Sequence, residues 1–182
     1  MRVLQFVILI RGLTHCRLKI TARQMTIPQI ACELIADNIH VHPAVQKILL
    51  DVKTPSAVIL VTDAVRAAGL PEGEYMLDAR PVHIQNGAVR LEDGTLAGSV
   101  LTMERALQNL CAASGRSLEE LWVTSSLNAA RAIGVSAHKG SLEVGKDADL
   151  VLLDDSFQIH LTVALGEVVY ETTPTQPTPN TT

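Results

Sequence analysis

The segment from Ile30 to Asp63 constrains the fold of this chain more than any other stretch. Ile30, Leu34, Ile35, Ile39 and Val41 supply an apolar run over 30–42 that reads as a strand, and its far end carries Asp37, Asn38, His40 and His42. Pro43 suits the first turn of a helix, where a missing N–H costs nothing, and Val45, Ile48, Leu49 and Val52 follow at helical spacing. Residues 57–61 are again continuously apolar and stop abruptly at Thr62 and Asp63. Strand, helix and strand in this compass read as a βαβ unit. Such a unit demands a parallel sheet with buried strands, and it puts function at the strands' carboxyl ends.

The rest of the chain reads differently. Gly69, Pro71 and Gly73 mark a surface loop, and 82–91 is a pair of short strands around Asn86-Gly87, a strong hairpin signal. A helix is expected over 101–113 with Leu101, Ala106, Leu107 and Leu110 inward, and Ser117 with Glu120 forms a capping box that opens the next one. A short helix over 128–133 ends at Gly134, and 140–171 alternates strand and turn, with strands at 148–153, 158–165 and 168–170. The Pro- and Thr-rich tail over 172–182 has little to bury and is expected to be disordered. Residues 3–10 form a further apolar run, too short for a membrane span and without a small-residue cleavage site, so a buried strand is the reading.

With 182 residues, 47% of them apolar, one well-buried core is the expectation. A net charge of −4 and a pI near 5.8 leave no broad basic surface, so nucleic acid is not an expected partner, and neither is a membrane. The three cysteines, Cys16, Cys32 and Cys111, are odd in number and lack CxxC spacing. That argues against a disulfide framework or a structural zinc site, and for a reducing cytoplasm.

Asp63 is the residue most suggestive of chemistry. A carboxylate closing an apolar strand is costly unless solvated, paired or bound to a metal, although an Asp there could equally cap the next turn. His40 and His42, two apart on a strand, would share one face and reach a common centre. Two histidines do not complete a zinc site, and the alternative is one pocket-facing histidine beside a structural His42. His15 follows a possible strand and is a candidate ligand, whereas His83, His138 and His160 are expected to face solvent. Gly94-Thr-Leu-Ala-Gly-Ser99 reads as a small-residue turn, either a connector or a source of free backbone groups for a polar ligand.

These residues fall in a familiar order. Leu34-Ile-Ala-Asp-Asn-Ile-His-Val-His-Pro43, then Ile59-Leu-Val-Thr-Asp-Ala64, then Asp93-Gly-Thr-Leu-Ala-Gly-Ser99 with Leu101-Thr-Met103 resemble consecutive motifs of the N-acetylglucosamine-6-phosphate deacetylases. Leu127-Asn-Ala-Ala-Arg-Ala-Ile-Gly134 and Lys139-Gly-Ser-Leu-Glu-Val-Gly-Lys-Asp-Ala-Asp-Leu-Val151 are similar to the general C-terminal signature of amidohydrolases.

The resemblance implies an α/β fold: a partial (β/α)₈ TIM barrel of the metal-dependent amidohydrolase type over 1–134, of which 1–29 is not family-like, and a small C-terminal β-sandwich module over 135–171. It implies hydrolysis of the N-acetyl amide of N-acetylglucosamine 6-phosphate to glucosamine 6-phosphate and acetate. Asp63 would shuttle a proton from water on a divalent metal of the zinc or iron class to the departing amine. Asp37, Asn38, Ile39 and His40 would contact the sugar phosphate, and Leu96, Ala97 and Gly98 would border its amide end. His15 matches the last metal histidine of the family, whose other ligands lie in earlier strands that this chain lacks, and a homodimer is expected for the full-length family.

The family carries Gly where this chain has Asn38. Two alternatives to the deacetylase stand beside it. One is a truncated remnant without most metal ligands, and the other is an amidohydrolase of cyclic amides, which accounts for the C-terminal signature but not for the motif from Asp37 to Pro43.

Overall fold

A computed structural model describes residues 30–172; the expected strand at 3–10, His15 and the tail from 173 lie outside the described residues. The βαβ unit is present. Strand β1 (Cys32–Leu34) runs parallel to β2 (Val58–Leu60), Cys32 opposite Val58 and Leu34 opposite Leu60, with helix α1 (Pro43–Lys53) as the crossover. Leu34 and all of β2 are buried, as strands covered on both faces should be.

The strand expected over 30–42 stops after Leu34. Asp37 Oδ1 accepts the backbone N–H groups of Ile39 (2.9 Å) and His40 (2.8 Å), and Asn38 takes φ 64°. This side-chain turn competes with the sheet ladder and wins. As a result His40 and His42 do not share a face. His40 is buried, whereas His42 is exposed and extended before Pro43, its Nδ1 accepting the Ala44 N–H (3.2 Å) at the start of α1. His42 thus caps the first turn of α1.

Helix α1 also departs from its apolar pattern. Ile48 and Val52 are exposed, while Gln46 and Lys53 are buried with Leu49 and Leu50. The two polar side chains can go inside because each finds acceptors, Gln46 on Asn38 and Val41 and Lys53 on the Ile30 carbonyl. Around this unit pack α2 (Met103–Ser114), ended by Gly115 in the left-handed conformation, α3 (Leu118–Ser125), opened by the expected capping box, and α4 (Leu127–Ala132). Leu34, Leu49, Leu50, Val58, Leu60, Leu110 and Leu121 form one core cluster between strands and helices. Asn128 ties α4 to β2 through Nδ2, which donates to the carbonyls of Pro55 (2.8 Å) and Val58 (2.7 Å).

Between β2 and α2 the chain builds an antiparallel sheet of four strands, in the order β3 (Gly73–Leu77), β4 (Arg80–Gln85), β5 (Ala88–Leu91), β6 (Leu96–Ser99). The β4–β5 hairpin turns at Asn86 (φ 51°) and Gly87 (φ 73°) as expected. Strand β3 replaces part of the expected surface loop, and β6 replaces the expected small-residue turn. Val82, Ile84 and Val89 give this sheet its own small core.

The last unit is a meander of β7 (Leu150–Leu153), β8 (Ile159–Ala164) and β9 (Glu167–Glu171), close to the expected strands. Lys139 Nζ bridges Asp147 (2.9 Å) and Asp149 (2.5 Å) just ahead of it. It is a single layer, with Val151, Leu152, Val168 and Val169 all more than half exposed; a sandwich needs a second layer, which is not among the described residues. No helix among the described residues is long and apolar enough to cross a membrane.

Candidate functional site

Asp63 stands three residues beyond β2, at φ 50°, exposed in a cleft of about 460 Å³ lined by Glu33, Leu60, Val61, Thr62, Ala64 and Met103. Its carboxylate makes no hydrogen bond or ion pair among the described residues. The nearby turn is instead held by Thr62, whose hydroxyl accepts the Ala64 N–H (3.4 Å). The Asp63 side chain caps no backbone N–H among the described residues and is exposed in the cleft.

The backbone of Asp63 is held firmly. Ser99 N–H donates to the Asp63 carbonyl (3.0 Å), Val65 N–H donates to the Ser99 carbonyl (3.0 Å), and the Ser99 hydroxyl makes a short bond to the Thr62 carbonyl. Strand β6 therefore docks on the segment after β2, with Ala64 and Ser99 in a parallel bridge. Gly98 makes this docking possible. At φ 118° a Cβ on Gly98 would sit 2.4 Å from Val65 Cγ1 and 3.4 Å from the Asp63 carbonyl oxygen. Of the triplet expected beside the substrate, Gly98 lies against Asp63, Ala97 packs into the small sheet's core, and Leu96 pairs with Arg90.

The second half of the expected site is the turn after β1. Asp37 Oδ2 lies 2.6 Å from His40 Nδ1, with both side chains buried, which fixes the ring so that Nδ1 faces the carboxylate. Burial pushes the Asp37 carboxyl up, but hydrogen bonds from the His40 ring and from the His40 and Ile39 amides outweigh it and hold it below the ordinary carboxylate range. The His40 Nε2 edge makes no hydrogen bond among the described residues. Asp37, Asn38 and Ile39 line a separate cleft of about 350 Å³ with Asn86, Gly87, Thr102, Arg105 and Asn109. Asp63 and the Asp37–His40 turn thus both follow carboxyl ends of adjacent parallel strands, yet they line two different clefts among the described residues.

Two residues of the site escape the sequence reading. Glu33, on β1, shares the Asp63 cleft; a carboxylate inside the apolar run Ala31-Cys-Glu-Leu-Ile35 was the available signal. Gln46 holds the Asp37–Val41 turn, and no local pattern distinguishes it from a solvent-facing helical glutamine.

The donor set does not fit a complete metal site. No group of three or more His, Cys, Asp and Glu side chains among the described residues could hold an ion. Asp63 and Glu33 supply two carboxylates in one cleft, His40 has its Nδ1 committed to Asp37, and the expected ligand His15 lies outside the described residues. His83, His138 and His160 are exposed, as expected, and line neither of these clefts; His160 instead lines a cavity of about 850 Å³ with Asp154, Glu104 and Tyr170.

The model of the amidohydrolase family matches residues 9–169, a span that begins within the segment where no family motif is legible in the sequence. An N-acetylglucosamine-6-phosphate deacetylase of Lysinibacillus sphaericus is 38% identical over 148 residues, which is 81% of this chain but 38% of that protein. A protein of Escherichia coli (strain K12), named only provisionally as an N-acetylgalactosamine-6-phosphate deacetylase, is 37% identical over 148 residues, covering 81% of this chain and 88% of its own length. The crystal structure of N-acetylglucosamine-6-phosphate deacetylase from Thermotoga maritima superposes with a TM-score of 0.80 at 36% identity, over 89% of this chain and 44% of that one. The chain thus spans less than half the length of most of these relatives, and it belongs to the amidohydrolase family.

Proposed function

We propose that this chain carries the proton-transfer and sugar-phosphate half of an amidohydrolase that removes the acetyl group from an N-acetylated amino-sugar 6-phosphate, N-acetylglucosamine 6-phosphate in the first instance. The observation that carries the reading is the Asp63 carboxylate: without a hydrogen-bond or ion-pair partner among the described residues, exposed in a cleft, and placed just past a buried parallel strand in a family built for amide hydrolysis. β1 and β2 are read as two strands of a (β/α)₈ barrel ending near residue 134, and the β7–β9 meander as one layer of an accessory sandwich.

In the reaction, water adds to the acetyl carbonyl, the C–N bond breaks, and acetate and the free amine result. Asp63 accepts the proton of the attacking water and returns it to the amine nitrogen, without which the amine is a poor leaving group. Asp37 orients His40, whose Nε2 is the ring edge left for the sugar phosphate, with the ring itself buried behind the cleft-lining residues Asp37 to Ile39. The close approach at Gly98 sets this residue beside Asp63, where it would border the acetyl end. A divalent metal of the zinc or iron class would acidify the attacking water in this family. The described residues do not make a ligand set for it, and no step above depends on its geometry.

That same donor set favours a second reading, in which the chain by itself is an inert remnant that needs ligands from elsewhere. Acetate release from N-acetylglucosamine 6-phosphate by the purified chain, with and without added zinc or ferrous ion, separates the two. Turnover supports the deacetylase. No turnover, with no metal retained, supports the remnant. Running the galacto epimer in parallel decides between the two sugar classes named for the relatives.

A further inference from the structure

We infer that Gln46 and Asn38 form a coupled positioning pair that sets the turn carrying His40. The inference rests on the reading of His40 as the sugar-phosphate contact, though its structural core does not.

Gln46 lies in α1 and is 0% exposed, an unusual place for a glutamine unless its amide is used. Both hydrogens of its Nε2 are used, one on the Asn38 Oδ1 (2.9 Å) and one on the Val41 carbonyl (2.9 Å). The Val41 carbonyl can only accept, so the amide orientation is fixed, with Oε1 buried and without a hydrogen-bond partner among the described residues. The two acceptors flank His40 on either side. Asn38 stands at φ 64°, a conformation in which Asn is among the few non-glycine residues readily accepted. Glycine there would supply the backbone freedom but no side-chain acceptor. Asn supplies both, and so converts a flexible hinge into a clamp.

The clamp acts at a distance from the reacting atoms, through His40. Asp37 Oδ1 receives the Ile39 and His40 amides while Asp37 Oδ2 holds the ring, so the ring direction follows the turn as a rigid unit. Loosening residues 38 and 41 frees both ends of that unit.

The test uses the full chain and two readouts. In Gln46→Met, which keeps side-chain length and apolar packing but removes both donors, exchange of the Ile39 and His40 amides should quicken about tenfold, while the Leu50 and Leu110 amides keep their rates. Asn38→Gly should produce part of the same local loosening, Asn38→Asp, which retains an acceptor, should not, and the double variant Asn38→Gly with Gln46→Met should add little to Gln46→Met alone. The second readout is affinity for glucosamine 6-phosphate, expected to fall about tenfold in Gln46→Met. Unchanged Ile39 and His40 exchange, or equal acceleration at all four amides, overturns the positioning pair. If wild type binds no glucosamine 6-phosphate, the functional reading of His40 fails while the exchange data still decide the pair.

Discussion

Gly98 offers the sharpest structural test, because the contacts around it set the size of the effect. Replacing it with Ala imposes two costs. A residue with a Cβ at φ 118° is strained by about 1–3 kcal/mol. The new Cβ would also lie 2.4 Å from Val65 Cγ1, and Val65 is β-branched and cannot swing aside freely, so overpacking adds about 1–3 kcal/mol. A total of about 2–6 kcal/mol is expected, a large part of the roughly 5–15 kcal/mol by which a domain is stable. Urea unfolding of Gly98→Ala measures it. Gly115→Ala is the control: its φ is 72° and nothing lies within 4 Å of the added Cβ, so strain alone of about 1–2 kcal/mol applies. Adding Val65→Ala to Gly98→Ala should recover the overpacking part but not the strain. A Gly98→Ala protein within about 0.5 kcal/mol of wild type, or a double variant with no recovery, would refute the argument that this glycine exists to let β6 reach Asp63.

Three further outcomes follow from the same contacts. Leu110→Ala, at a side chain 0% exposed in the main core, should lower stability by about 2–5 kcal/mol in the same urea assay. Ser117→Ala removes one half of the capping box of α3 and should cost about 1 kcal/mol. Because the folded Asp37 carboxyl is held below its ordinary range, its contribution is complete above that range and is lost as pH falls through the lowered folded value. Urea midpoints taken down the acid side should therefore fall more steeply for wild type than for Asp37→Asn.

Much of this architecture is legible in the sequence where one local signal dominates. The βαβ unit, the Asn86-Gly87 turn and the Ser117–Glu120 box each declare themselves through a strong local preference, and tertiary packing agrees. Strand β3 was illegible because it is mostly exposed, with Met76 65% accessible, and because its hairpin turns at Asp78 and Ala79, both at positive φ, where Ala is no turn signal. Strand β6 looked like a turn because Ala-Gly-Ser has little strand preference; pairing with β5 and docking on Asp63 make it a strand. His40 and His42 parted because a single Asx turn at Asp37 overrode the apolar alternation around them. The exposed Ile48 and Val52 and the buried Gln46 and Lys53 carry the same lesson, since hydrogen-bond acceptors supplied by distant or looped backbone are invisible to periodicity.

For the site, position at the carboxyl ends of β1 and β2 was readable, and so was the candidacy of Asp63. What could not be read is that Asp63 and the His40 turn open onto different clefts, or that Glu33 shares the first of them.

The most direct test of the account compares wild type with Asp63→Asn for release of glucosamine 6-phosphate from N-acetylglucosamine 6-phosphate, with divalent metal supplied. Asn keeps the shape of the side chain and cannot carry the proton, so turnover should drop at least about a hundredfold, the scale of general acid–base catalysis, with the folded state intact. Equal turnover in the two proteins would contradict the assignment of proton transfer to Asp63.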